Sequence, residues 1–291
     1  MKPYQVMRSA ALATVLLTAL FSPALFASSL PTHSQLQAAL RAVVAEDNGG
    51  FGLQMWATVV DRDGVVKVVV FSGKARGDQW PGSRVISAQK ANTANAFSLP
   101  GLALSTANLF SPVQPGGSLF GLQLSNPVNP AVAYGGPSND IGTQKDPMVG
   151  QKIGGVNVFG GGLPLYDREK NLVGAVGVSG DSSCADHTIA WKVRHKLNLD
   201  NAPGGVSPTK DDNIVYDITS GASASGWGHP ECSPKATQIA KELPKTRPIG
   251  PTPQNERYVG PSSWVALGDD YRGRRSIAGV PCAKSCTNRM R

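Results

Sequence analysis

Charge, cysteine and long apolar runs are all scarce in this chain. Only 16% of its 291 residues are Asp, Glu, Lys or Arg, against roughly 25% in an ordinary soluble domain. A chain so thin in charge, with 41% hydrophobic residues, is not held open by self-repulsion and can bury one sizeable core. Its 33 Gly and 22 Pro stay below the ~25–30% share that marks low-complexity disorder and follow no collagen period. Its apolar run from Ala10 to Phe21 is shorter than the ~20 residues a membrane-crossing helix needs, so a multi-span membrane protein is excluded. No internal repeat of 20 to 50 residues is found. The run Gly177-Val178-Ser179-Gly180-Asp181 is not a Gly-x-Ser-x-Gly nucleophile elbow, and the adjacent Asp186 and His187 do not by themselves make a triad, so a hydrolase is set aside. The Gly clusters at 154–155 and 160–162 lack a strand-to-helix context and a P-loop Lys, which sets nucleotide binding aside.

What charge there is sits at the ends. The formal net charge is +8. Residues 28–244 hold 17 basic and 17 acidic side chains, while the last 47 residues hold nine basic and three acidic ones. Arg272, Arg274 and Arg275 form the densest cluster in that tail. A solvated or surface-docking tail is the expectation, and nucleic acid is not expected as a partner.

Lys2 and Arg8 precede the Ala10–Phe21 run, and Ala24, Ala27, Ser28 and Ser29 follow it. That order predicts a secretory signal over residues 1–28, cut near Ala27 to Ser29. The N-terminal segment has no Arg-Arg pair, so the twin-arginine route is not indicated. The mature chain is then periplasmic or secreted, has no transmembrane segment, and meets oxidising conditions.

Ser34, with Gln37 three residues on, opens a helical pattern carried by Leu36, Ala39, Leu40, Val43 and Val44, and Asn48-Gly49-Gly50 closes it. Met55–Val60 and Val65–Phe71 read as strands joined by the tight turn Asp61-Arg62-Asp63-Gly64. Arg84–Phe97 reads as a helix with a small-residue face at Ala88, Ala91, Asn92 and Ala94. Residues 98–150 form a long irregular stretch, of the kind that covers a site or makes an interface. Val156–Phe159 and Leu172–Val178 read as strands, and Gly174 and Gly177 inside the second predict a close approach by another element. A helix is expected from about Asp186 to Leu197, with Ile189, Val193 and Leu197 buried and His187, Trp191 and Arg194 on a different face. After Asp200 only Lys235–Leu243 reads as helical. The domains are therefore set at 29–200 for a compact unit and 201–291 for a Pro/Gly-rich basic extension.

Four motifs come in a telling order: Asp61-Arg62-Asp63-Gly64, Lys90-Ala91-Asn92-Thr93-Ala94, Gly161-Gly162-Leu163-Pro164-Leu165, and Gly174 to Gly180 followed by Asp186. Over roughly residues 34–197 the chain resembles the GlcG/HbpS-like haem-binding family, which is similar to the C-terminal domain of PduO proteins. The resemblance implies an α/β (α+β) fold, an antiparallel sheet flanked by helices, with non-covalent haem as cofactor and a homo-oligomer as the assembly. It implies sequestration, storage or sensing of haem more firmly than catalysis. The chain departs from the family where many members carry Asp-Glu in place of Asp186-His187, and in its long 98–150 segment and its extension.

Within that resemblance His187 is the candidate haem-iron ligand, oriented by Asp186, since a neutral imidazole is a good axial ligand. Thr93 is expected to border the haem, and Arg84 and Lys90 to pair with its propionates. The bland alternatives are a helix-end His, a core Thr and a solvated Lys. Met55 is expected to be core filler rather than a soft ligand. No Cys-x-x-Cys-His occurs, which excludes covalent c-type attachment. The cysteines are Cys184, Cys232, Cys282 and Cys286. Cys184-Ala-Asp-His187 and His229-Pro-Glu-Cys232 mirror each other, so two readings stay open: a Cys184–Cys232 disulfide or a tetrahedral zinc site. Cys282 and Cys286 either form a second bridge or stay free. Two other functions remain open, a redox or haem-modifying enzyme or one acting on a small organic acid, and an oligomeric interaction protein with no ligand.

Overall fold

A computed structural model describes residues 30–250. The expected signal segment, the basic tail, Cys282 and Cys286 lie outside the described residues.

Helix α1 (His33–Val44) begins at Thr32, whose side chain accepts from the Gln35 N–H while the Gln35 side chain accepts from the Thr32 N–H. The capping box thus falls two residues before the Ser34/Gln37 pair read from the sequence. Gln37 instead donates to the Phe71 carbonyl at 3.2 Å, tying α1 to the sheet. Strands β1 (Trp56–Asp61) and β2 (Val66–Phe71) pair antiparallel. Their turn is closed by Asp61 Oδ1, which accepts from the Asp63 and Val65 N–H groups at 3.0 Å each. Gly64 there adopts φ +76°, a backbone region other residues enter at a cost.

Helix α2 (Ser83–Phe97) follows, then an irregular passage with two short helices, α3 (Leu122–Ser125) and α4 (Pro130–Tyr134). Strands β3 (Gly162–Tyr166) and β4 (Leu172–Ser179) complete an antiparallel sheet of order β2-β1-β4-β3. Val156–Phe159, read as a strand, is not one: two of its N–H groups go to side chains rather than a ladder. Asn157 N–H donates to Thr93 Oγ1 and Phe159 N–H to Asn157 Oδ1. The strand starts at Gly162, and Pro164 is tolerated because β3 is an edge.

Alternation along the strands sorts the core into two layers. Ala57, Val59, Val176 and Val178 face α1 and helix α5 (Ser183–Lys196), meeting Leu36, Leu40, Ile189 and Val193, with Met55 in the same core. Trp56, Val60 and Ala175 face α2, meeting Val85, Ala88, Ala91 and Ala94. Gly177 also faces α2, where a Cβ would overlap the Ser87 carbonyl and come within 2.5 Å of the Ala91 N. The close approach read from Gly177 is therefore that of α2, and the small-residue face of that helix is what allows it.

The remaining elements are a two-strand hairpin, β5 (Ile218–Thr219) with β6 (Ala222–Ser223), and α6 (Pro234–Thr246) capped by Ser233. Residues 199–250 do not form a separate layer: they lie across α5. Asn213 Nδ2 donates to the Ala240 carbonyl, Asn108 Nδ2 to the Asn213 carbonyl, and Trp191 Nε1 to the Arg247 carbonyl. The face of α5 carrying His187, Trp191 and Arg194 is consequently as buried as its sheet-facing side. Arg194, fully buried, forms a bidentate pair with Asp212 at 2.6 and 2.8 Å and also donates to the Pro164 carbonyl. Arg84 forms the matching pair with Asp146 at 2.9 and 2.5 Å, and donates to the Ala133 carbonyl. That second pair fastens the irregular 98–150 segment to α2.

Gly177→Ala is expected to force α2 off the sheet and to cost about 1–3 kcal/mol, read as a lowered urea midpoint. Asp212→Ala leaves Arg194 buried without a counter-charge. It is expected to cost about 3–5 kcal/mol in the same measurement.

Candidate functional site

The N-terminal half of α5 collects the chemistry. Ser182 caps the helix by accepting from the Ala185 N–H, and Cys184, Asp186 and His187 follow within its first turns. Cys184 is bonded to Cys232, which pins the extension to the start of α5.

Asp186 is met from across the sheet by Lys90 of α2. The Lys90 Nζ lies 2.6 Å from Asp186 Oδ2 and 3.2 Å from the Val178 carbonyl, and both side chains are buried. Asp186 Oδ1 accepts from the Asp181 N–H. Burial pushes the Asp186 carboxyl up to about 6, with Lys90 pulling it back toward the ionised form. Lys90 reaches this position past Gly161, where a Cβ would come within 3.1 Å of its Nζ.

His187 has no exposed surface. Its Nε2 lies 3.2 Å from Asn213 Oδ1 and 3.1 Å from the Ile214 nitrogen. Asn213 Oδ1 also accepts from the Ile214 N–H at 2.9 Å. The Ile214 N–H thus reaches both Asn213 Oδ1 and His187 Nε2, and His187 Nδ1 is buried without a partner. Burial drives the His187 imidazole down to about 3, so it is neutral.

A second buried imidazole comes from the extension. His229 is buried and its Nδ1 donates to the Pro230 carbonyl at 2.8 Å, while its Nε2 has no partner. Burial lowers it to about 4. The Phe110 ring lies 5.2 Å from the His229 ring and 6.1 Å from that of Phe159. His187 itself sits 6.3 Å from the Trp191 ring.

The structure does not gather the sequence-derived candidates around one opening. Thr93 is buried, donates to the Gln89 carbonyl and accepts from the Asn157 N–H. Arg84 and Lys90, expected as propionate partners, are each already paired with a buried carboxylate of the chain. They fit that role poorly as they stand, because a buried pair is costly to break. His187 does fit an axial ligand, being a neutral imidazole with an unpartnered nitrogen. The sequence reading missed the parts played by Asp146, Asp212 and Asn213. It met His229 only as half of a Cys/His spacing. The one signal for Asp212 was Arg194 itself, a cation on a helix rich in apolar neighbours.

A four-stranded antiparallel sheet between a small-residue helix and a helix pair defines a mixed α/β domain, and this is the architecture of the HbpS-like class. Residues 31–194 match the family described as haem-degrading protein HbpS-like, and the chain belongs to that family. No curated protein matches it. Among solved structures it is similar to Klebsiella pneumoniae protein ORFY, at 27% identity over 56% of this chain and 86% of that one, with a TM-score of 0.38. It is also similar to PduOC in its haem complex, at 24% identity over 60% and 99% with a TM-score of 0.41. A third is a double mutant of Streptomyces reticuli HbpS, at 20% identity over 65% and 97% with a TM-score of 0.36.

The two neutral histidines have a consequence for acid stability. Their folded values of about 3 and about 4 lie below the ordinary 6.5. The unfolded chain therefore binds the extra protons, and their contribution is complete above pH 6.5 and lost as pH falls toward those values. Asp186, raised to about 6, works in the opposite direction, so the comparison is made between variants. On acidification from pH 6.5 to 5 the wild type is expected to lose about 1.6 kcal/mol in total more than His229→Gln, measured by urea unfolding.

Proposed function

We propose that this protein is an exported, non-covalent haem binder that sequesters, stores or senses haem, with His187 as its iron ligand. The observation that carries this is the unpartnered, buried nitrogen of a neutral His187 in a chain of the HbpS-like family. Bound haem supplies an iron centre that takes an imidazole nitrogen as axial ligand. Asn213 holds the ring of His187 by its other nitrogen, which fixes the free nitrogen's direction. Phe110 and Phe159 offer apolar, aromatic surface beside His229. The cover formed by residues 213–216 and 228–232 has to shift for a porphyrin to reach His187. The Cys184–Cys232 bond fits export to an oxidising compartment. A homo-oligomer would draw on the exposed Phe120, Leu124 and Tyr134 of the irregular segment.

The test is haemin titration of the mature wild type, His187→Ala and Thr93→Ala, followed by the Soret band. The wild type is expected to shift the band at one haem per chain, and His187→Ala to weaken binding at least tenfold with an altered band position. Absence of a shift in the wild type sinks the haem reading, and an unaltered spectrum in both variants sinks the site. The family's description as haem-degrading favours a second reading, an enzyme acting on bound haem. Loss of the Soret band over many turnovers with a supplied reductant or peroxide would select it over storage.

A further inference from the structure

Among the described residues, the buried side-chain polar atoms without a partner divide between α5 and its cover. They are His187 Nδ1, Thr188 Oγ1 and Arg194 Nε on α5, and Tyr216 Oη, His229 Nε2 and Thr237 Oγ1 on the extension laid across it. None belongs to the sheet, α1 or α2. A buried polar group left unmet costs stability, so the cover closes over α5 against a penalty that the rest of the described fold does not carry. The cover segments 213–216 and 228–232 have no regular secondary structure. The His229 N–H donates to the Val215 carbonyl at 2.8 Å, which joins the two into one strip.

That strip is bonded to the start of α5 through Cys184 and Cys232. Hydrogen bonds from Ser111 Oγ to the Gly228 carbonyl and from Asn108 Nδ2 to the Asn213 carbonyl also hold it, but each is weak and replaceable by water beside a covalent tie. The two sulfurs differ in access: Cys184 is fully buried, whereas Cys232 is exposed. An incoming thiolate therefore meets Cys232, and Cys184 becomes the leaving sulfur. Cys184 lies in the first turn of α5, whose unpaired N–H groups favour a thiolate. A stable leaving thiolate speeds exchange.

We propose that the Cys184–Cys232 bond is a redox latch: exchange with a dithiol at Cys232 frees residues 213–216 and 228–232 to lift and uncovers His187. The thiolate of the dithiol attacks Cys232 Sγ, the S–S bond breaks, and Cys184 leaves as a thiolate that takes a proton from solvent. The second thiol of the reductant then attacks its own sulfur in the mixed disulfide and releases Cys232. The dithiol is oxidised by two electrons to a cyclic disulfide, and the protein bond is reduced to two thiols. Oxidised, the chain shuts His187 away; reduced, it presents the ring. The further step to haem capture rests on the reading of His187 as iron ligand, and the latch itself does not.

The experiment uses the full mature chain carrying Cys282→Ser and Cys286→Ser, so that only one disulfide can exchange. It is compared oxidised, after reduction with dithiothreitol and anaerobic removal of the reagent, and with Cys232→Ser added. Carbethoxylation by diethyl pyrocarbonate, mapped by peptide mass, reads access to His187, and amide hydrogen exchange reads the cover and the sheet. Reduction and Cys232→Ser are each expected to speed His187 labelling, and exchange of the Ile214 and His229 amides, by about tenfold or more, with β1 and β4 unchanged. An excess of a monothiol, quenched with acid, is expected to be trapped on Cys232. Equal labelling of His187 in the two redox states overturns the proposal. So does a mixed disulfide on Cys184, or protection lost from β1 and β4 along with the cover, since the bond then holds the fold rather than a lid. Haemin association, followed separately by the Soret band, is expected to be about tenfold or more faster in the reduced chain. A chain that uncovers His187 and takes no haem leaves the latch standing and sinks the haem reading. One that takes haem equally in both states, with His187 unlabelled in both, sinks the latch alone.

Discussion

Buried cations must find carboxylates, and this constraint organises the whole molecule. An unpaired guanidinium or ammonium in an interior is far too costly to tolerate. Arg84, Lys90 and Arg194 are all buried, and each is matched by a carboxylate from a different part of the chain: Asp146, Asp186 and Asp212. The cations sit on α2 and α5, the regular helices on either face of the sheet. Two of the anions come from segments with little regular structure of their own. The pairs therefore convert a loop and an extension, which have weak local preferences, into fixed covers over a regular core.

The same constraint shapes the chemistry at the start of α5. Asp186 and Lys90 neutralise each other on one side, and Asp212 and Arg194 on the other. Between the two pairs His187 is deprived of water without gaining a net charge beside it, so its imidazole stays neutral. His229 is buried under Phe110 and adds a second neutral ring. The ion pairs thus take up the charge around the start of α5 and leave one nitrogen of each buried ring without a partner.

The regular part of the fold was legible from periodicity. The α1 face, the hairpin and its Asp-Gly turn, the small-residue face of α2 and the Gly-bearing β4 all announce themselves within short windows of sequence. The family resemblance spans that same region. Failures came where a side chain took over a backbone role. Residues 156–159 look like a strand, but Thr93 and Asn157 take the N–H groups of Asn157 and Phe159. The second face of α5 had no assigned partner, because its cover, residues 199–247, carries almost no periodic signal. Arg84 and Lys90 read as free cations because their carboxylates are 62 and 96 residues away in sequence. Pairings over such separations are decided by the folded topology and leave no local trace. The cysteine pair was anticipated only as one of two outcomes, since spacing alone cannot distinguish a bridge from a ligand set.

The bond between Cys184 and Cys232, 48 residues apart, closes a covalent ring that contains Arg194, Asp212 and the exposed β5–β6 turn at Ser220 and Gly221. Tips of that kind are where proteases cut. A single cleavage inside the ring opens it without releasing either fragment, since both remain tethered through sulfur and through α5. A molecule built this way can be nicked once and still hold together as one piece.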